Sequence, residues 1–160
     1  MSLDTLTEEN YRLIKQAPRA VIIVSKSNCS GCKTYKPVII SIANEMPYIK
    51  FAEAILDSKT TSLYQFKKDH AGDMPYWQGL PITLLIKNGR EIFKIDGPKQ
   101  YSDIHKIIIS KLVVGSQVYL SKDNRLVPAT IRQIVNGKYF LQTQQNEIIE
   151  SSQEQFKWNL

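Results

Sequence analysis

The only two cysteines of the chain, Cys29 and Cys32, are separated by Ser30-Gly31 and follow closely on the apolar run Ala20-Val21-Ile22-Ile23-Val24. A short apolar run bounded by turn-forming residues predicts a buried strand, and helical spacing begins after the cysteines, so the pair falls where a strand hands over to a helix. Cys-x-x-Cys spacing is a dithiol motif, which makes disulfide exchange the first chemistry to test. A cysteine attacks as the thiolate, and the unsatisfied N–H groups and positive dipole end at a helix start favour that form. Cys29 is therefore the expected exposed nucleophile. Ser27 or Asn28 is the expected N-cap, and Lys26, Lys33 and Lys36 add positive charge nearby. Cys32, one turn inside, can resolve a mixed disulfide on Cys29 by closing an intramolecular bridge. Structural zinc wants four ligands, and the remaining candidates, His70 and His105, fall on separate predicted helices, so no metal is expected at the cysteines.

A chain of 160 residues with 42% hydrophobic content can bury a real core. No apolar run approaches the ~18 residues of a membrane span, and Met1 to Glu9 is polar and acidic without a hydrophobic signal core. A soluble, unexported protein is expected, and a reducing cytoplasm suits a dithiol that cycles. The net charge of +6 is spread along the chain, with Lys67-Lys68 the only adjacent basic pair. The clustered basic stripe of a nucleic-acid binder is missing.

Thr5-Leu6-Thr7-Glu8 reads as a capping box with Thr5 as N-cap, opening a helix to about Gln16 with Leu6, Leu13 and Ile14 on one face. A strand from Ala20 to Ser25 follows, then a helix from Cys29 to about Met46, which Pro37 interrupts by removing one ladder bond. A strand over Ile49 to Leu56, a helix from Ser58 to about His70 and a strand over Ile82 to Ile86 come next. Asn88-Gly89 is a type I′ hairpin signal into Glu91 to Ile95. After Gly97-Pro98, Ser102 or Asp103 caps a last helix carrying Ile104, Ile107, Ile108 and Leu112. Beyond Val113 the period becomes strand-like, with a second hairpin at Asn136-Gly137. Four or five short strands in ~45 residues close as a small barrel. The expected domains are therefore 1–113 and 114–160.

Cys29-Ser-Gly-Cys32-Lys33, with Pro37 five positions after the second cysteine, resembles the active-site helix of the thioredoxin family. Gly79-Leu80-Pro81-Ile-Thr-Leu-Leu-Ile-Lys-Asn-Gly89 is similar to the family's second signature, in which a cis proline opens a strand ending in Lys-Asn-Gly. The resemblance covers about residues 3 to 112. It implies a thioredoxin fold, a mixed α/β sheet flanked by helices, with Pro81 facing the dithiol and the Leu80 backbone free to pair with an extended substrate. Asn28 stands where thioredoxins have Trp, Ser30-Gly31 where they have Gly-Pro, and Ile23 where they have a buried Asp. Glu53 falls on the second strand where the family often carries Lys. It is either a replacement carboxylate that accepts the Cys32 proton or a solvent-facing strand residue.

The C-terminal stretch, with Gly115-Ser-Gln-Val-Tyr, Val127-Pro-Ala-Thr-Ile131 and Tyr139, resembles a Tudor or related SH3-like barrel, a class that often binds peptides or RNA. Tyr119, Phe156 and Trp158 read as its packing residues. The thioredoxin resemblance implies a thiol-disulfide oxidoreductase that reduces disulfide-containing protein substrates, and the cytoplasm is its expected compartment. Cys29 and Cys32 would be catalytic and Leu80, Pro81 and Asn28 would bind substrate. No cofactor is implied, and a reductase such as thioredoxin reductase would supply electrons. Two alternatives stay open: an oxidase or isomerase using the same site, and a redox-inactive or weakly active binding or assembly module whose barrel recruits a protein or RNA partner.

Overall fold

The apolar run becomes the middle strand of a five-stranded sheet. The structure, a computed structural model, describes residues 3–158 apart from the side chain of Tyr76. β2 (Arg19–Ser25) lies parallel to β3 (Lys50–Ile55) and antiparallel to β4 (Ile82–Lys87). With a neighbour on each edge and both faces covered, every residue from Ala20 to Ser25 is buried, which is why the run shows no polar alternation. β1 (Asp4–Thr5) pairs parallel with β3 and β5 (Arg90–Asp96) antiparallel with β4, giving the order β1-β3-β2-β4-β5.

Ala20, Ile22, Val24, Leu84 and Ile86 form one face, packed with Tyr11 and Ile14 of α1 (Glu8–Gln16) and Phe66 of α3 (Tyr64–Asp69). The opposite face belongs to α2 (Ser30–Glu45), whose Tyr35 hydroxyl meets Thr83 Oγ1 at 2.8 Å. α2 buries Cys32, Tyr35, Ile39 and Ile42, the spacing of one helical stripe. Pro37 sits inside it and forgoes the bond to the Lys33 carbonyl without ending the helix. α4 (Tyr101–Ile108) continues into a π-helical turn over Ile109–Val113, closed by Val114 N–H on the Ile109 carbonyl at 2.9 Å.

Several boundaries differ from expectation for local reasons. The N-cap of α1 is Thr7, not Thr5, and its capping-box partner is Asn10. Thr5 is taken up by β1. Glu8, freed from the expected box, crosses to α3, where its carboxylate accepts from the Tyr64 and Gln65 backbone N–H groups at 2.9 Å each. A carboxylate there satisfies orphan donors at the positive end of the helix. Leu13 is 61% exposed and Tyr11 takes its place inside. α3 begins six residues later than expected because Ser58 Oγ accepts from the backbone of Thr60 and Thr61, holding that stretch in a turn. α4 starts at Tyr101, ahead of Ser102 and Asp103, with the Gln100 carbonyl accepting from Asp103 and Ile104 N–H.

The chain divides into two compact units, 1–106 and 107–160. The sequence reading set the boundary after Val113, where the residue period changes; by contacts it falls inside α4. The second unit holds β6 (Gln117–Lys122), β7 (Arg125–Val135), β8 (Lys138–Thr143), β9 (Ile148–Ser151) and β10 (Phe156–Trp158), all antiparallel in the order β10-β6-β7-β8-β9. Asn136-Gly137 makes the expected tight turn with φ of 51° and 76°. Asp123-Asn124 makes another, with φ of 53° and 61°. Val118, Leu120, Ile131, Leu141 and Phe156 are buried, and the Tyr139 and Phe156 rings meet at 5.1 Å. Among the described residues no pairing joins β9 to β10, so this is an open sheet and not the closed barrel the sequence suggested.

The hairpin joining β4 and β5 depends on Gly89. Asn88 and Gly89 have φ of 52° and 81°, as a type I′ turn requires. The turn is also tucked against the end of α1: Asn88 N–H donates to the Pro18 carbonyl at 3.0 Å, and a Cβ at 89 would lie 2.9 Å from the Lys15 carbonyl oxygen. Gly89→Ala meets both a positive φ and backbone that cannot move aside. We expect it to lose about 2 kcal/mol or more in equilibrium urea unfolding; an unchanged midpoint would contradict this packing of the turn.

Candidate active site

Neither Ser27 nor Asn28 caps α2; Cys29 does. Ser27 N–H is held by Asp57 Oδ1 at 2.8 Å, and Asn28 adopts φ 57°, so the chain makes one more turn before the helix starts. Asparagine tolerates that left-handed backbone better than most residues. The Ser27 backbone hydrogen bond, with Lys26 nearby, holds the Asp57 carboxyl below its usual range. Sequence reasoning had not assigned Asp57 this role, and an acidic residue just past a strand end was the signal available for it.

As the cap, Cys29 Sγ accepts from Cys32 N–H at 3.2 Å and is covalently joined to Cys32 in a disulfide, with the two Cα atoms 5.2 Å apart. The same N–H that steadies the disulfide would steady a Cys29 thiolate. Cys29 was expected to be the exposed partner, yet the residues are 8% and 7% exposed. The Cys29 sulfur is turned onto Cys32 and lies 3.6 Å from the Leu80 carbonyl oxygen, so in the oxidised state it is as enclosed as its partner.

That carbonyl precedes a cis peptide, Leu80–Pro81. A Cβ on Gly31 would sit 3.4 Å from Pro81 Cδ and 3.8 Å from the Leu80 carbonyl. These are ordinary contact distances, so the first turn of α2 lies against this loop at Gly31 without requiring a glycine there. Asn28 is exposed and next to Cys29 in the chain, while Leu80 is partly buried against the core.

Glu53 is not solvent-facing. It is 7% exposed and lies opposite Ile23 across the β2–β3 pair. Paired residues of adjacent strands share a face, and this is the α2 face, because Ile23 also pairs with Thr83, the partner of Tyr35. The Glu53 carboxylate accepts from Ser25 Oγ at 2.8 Å and pairs with Lys36 Nζ at 3.1 Å. Lys36 lies one turn beyond Cys32 on the same stripe of α2. Its charge is therefore matched by Glu53, leaving Lys26 and Lys33, both exposed, as the nearby lysines outside an ion pair with Glu53. Ser25 and Lys36 were not foreseen as its partners, since strand phase and helix face both had to be known.

The two histidines are occupied elsewhere. His105 Nε2 lies 3.2 Å from Glu45, and His70 follows α3 beside Asp73 and Glu91. Among the described residues no helix is long and apolar enough to cross a membrane.

No family model matches the chain. An H-type thioredoxin of Fagopyrum esculentum is 21% identical over 102 residues, spanning 63% of this chain and 80% of the relative. A thioredoxin of Chlamydia muridarum is 26% identical over 80 residues, spanning 50% of this chain and 70% of the relative. Among solved structures, oxidised mitochondrial thioredoxin 3 of Saccharomyces cerevisiae aligns with a TM-score of 0.54 at 24% identity, covering 68% of this chain and 94% of the yeast protein. Oxidised thioredoxin O2 of Arabidopsis thaliana aligns at 0.53 and 15%, covering 69% and 95%. The strand order, the Cys29–Cys32 pair at the start of α2 and these likenesses agree: the first unit has the thioredoxin fold, and the chain is a thiol-disulfide oxidoreductase.

Proposed function

We propose that the protein works as a reductase of protein disulfides in the cytoplasm, with Cys29 as nucleophile and Cys32 as resolving thiol. The observation that carries this reading is the hydrogen bond from Cys32 N–H to Cys29 Sγ, which favours the thiolate on Cys29. The Cys29 thiolate attacks one sulfur of a substrate disulfide, whose other sulfur leaves as a thiolate and takes up a proton. Cys32, after giving its proton to Glu53, attacks Cys29 Sγ, breaks the mixed disulfide and releases the second substrate thiol. The substrate gains two electrons and the protein becomes the Cys29–Cys32 disulfide, which a reductase of the thioredoxin reductase kind returns to the dithiol. Leu80 and Pro81 form the wall against which an extended substrate pairs, and Asn28 replaces an apolar lid with a polar one. A reducing compartment keeps such a dithiol cycling.

Ser30-Gly31 sets the direction, since for a two-electron couple ~30 mV corresponds to ~1.4 kcal/mol and a tenfold change in equilibrium. Equilibration of the wild-type pair against glutathione should give a potential below the glutathione couple. A clearly more oxidising value would make the protein an isomerase or oxidase. With insulin as substrate and dithiothreitol as donor, Cys29→Ser should abolish reduction and Cys32→Ser should accumulate a mixed disulfide; equal activity of Cys29→Ser and wild type would move the function to the second unit.

Glu53 as proton acceptor is supported by its burial, its place across from Ile23 and its link through Lys36 to the stripe that carries Cys32. Glu53→Gln should slow release of a trapped mixed disulfide by about tenfold or more and shift the pH dependence of that step. An unchanged rate and profile would leave Glu53 as a structural partner of Lys36.

For the second unit we infer an SH3-like architecture of the Tudor kind. Its support is the meander of four strands with β10 returning beside β6, and the one-turn 3-10 helix Gln153–Gln155 just before that last strand. A polar groove of about 210 Å³ on this sheet, with Gln117, Thr130, Arg132 and Gln142 among its walls, suits a peptide backbone or an RNA strand as partner.

A further inference from the structure

We infer that His70, Asp73 and Glu91 bind a single divalent transition-metal ion, best matched to zinc, on the side of the sheet away from the cysteines. The three residues come from separate segments. His70 ends α3, Asp73 precedes the 3-10 turn Met74–Tyr76, and Glu91 belongs to β5. One ligand atom from each lies within 4.8 Å of the other two. His70 Nδ1 is 3.5 Å from Asp73 Oδ2 and 3.3 Å from Glu91 Oε1. These separations are long for N–H···O bonds, which favour about 2.9–3.0 Å. They match the edges of a tetrahedral site, since two bonds of about 2.0–2.1 Å at that angle hold their ligand atoms roughly 3.3–3.4 Å apart.

The site is held in shape by the fold. The His70 ring lies 4.8 Å from that of Phe66 and 6.2 Å from that of Trp77, and its side chain is only 10% exposed. Glu91 is aimed there by a β-bulge. The ladder steps from Leu85↔Phe93 to Ile86↔Glu91, passing over Ile92, and this puts Glu91 on the face of Ile86, Ala20 and Phe66. Without the extra residue Glu91 would point to the α2 face.

Two carboxyl groups, Asp73 half-buried and Glu91 exposed, converge beside the buried imidazole. Asp69 lines the same open pocket of about 340 Å³, but its carboxylate already receives the Tyr11 hydroxyl, Lys15 Nζ and Gln65 Nε2. Three ligands therefore remain, and the pocket leaves a fourth position open to water. One imidazole and two carboxylates suit zinc, whereas magnesium and calcium favour all-oxygen shells.

The test is calorimetric titration of zinc chloride into the untagged full chain with Cys29–Cys32 oxidised, so that no thiolate competes and the result does not depend on the redox reading. We expect one ion per chain with a dissociation constant of about 10 µM or below. His70→Gln and Glu91→Gln should each weaken binding at least tenfold, while His105→Gln leaves it unchanged. Wild-type binding only at millimolar zinc, or micromolar binding retained by a folded His70→Gln protein, would overturn the proposal. Because the wild-type titration alone can reject it, a variant that fails to fold does not shield it.

Discussion

The redox site rests on a single sulfur atom that serves two purposes. Cys29 Sγ is the cap of α2, accepting Cys32 N–H, and it is also one of the two sulfurs of the redox pair. A helix start has N–H groups with no partner inside the helix, and Cys29 Sγ takes one of them. Ser27 and Asn28, both good caps by composition, are bypassed for a backbone reason. Asp57 holds Ser27 and the left-handed Asn28 uses up one residue, which delivers the cysteine to the cap position. The capping bond and the thiolate stabilisation are the same interaction, so the local folding of α2 and the reactivity of the pair are coupled.

Beneath that cap the sheet supplies a carboxylate from an unexpected strand. Ile23 occupies the position of the buried aspartate implied by the thioredoxin resemblance, yet Glu53 faces the same side directly across the β2–β3 pair. An unpaired buried carboxylate would be costly, and here Ser25 and Lys36 satisfy it. Lys36 in turn ties the carboxylate to α2 one turn beyond Cys32, so the ion pair holds helix against sheet.

What was legible in the sequence followed the strength of local signals. The apolar run, the Asn88-Gly89 and Asn136-Gly137 turns and the two cysteines identify themselves through one kind of force each, and the elements formed close to where they were placed. Boundaries decided by competing local bonds were missed. Thr7 won over Thr5 because β1 claims Thr5, Ser58 held a turn where a helix was expected, and Glu8 served a helix more than fifty residues away. The partners of Glu53 could not be read because they require strand phase and helix face together. The bulge at Ile92 could not be read because it depends on how β5 meets β4 and leaves no composition signal.

The acids on the two faces of the sheet have different partners, and that contrast is the reason to look for a ligand. On the α2 face Glu53 has a lysine within ion-pair distance and a hydroxyl donor. On the α1–α3 face Asp69 has Tyr11, Lys15 and Gln65. Glu91 and Asp73 instead converge on one histidine nitrogen, 3.3 and 3.5 Å from it, longer than an ordinary N–H···O bond. A zinc ion held by these three side chains would neutralise both carboxylates, with the histidine contacts already at the length of tetrahedral edges.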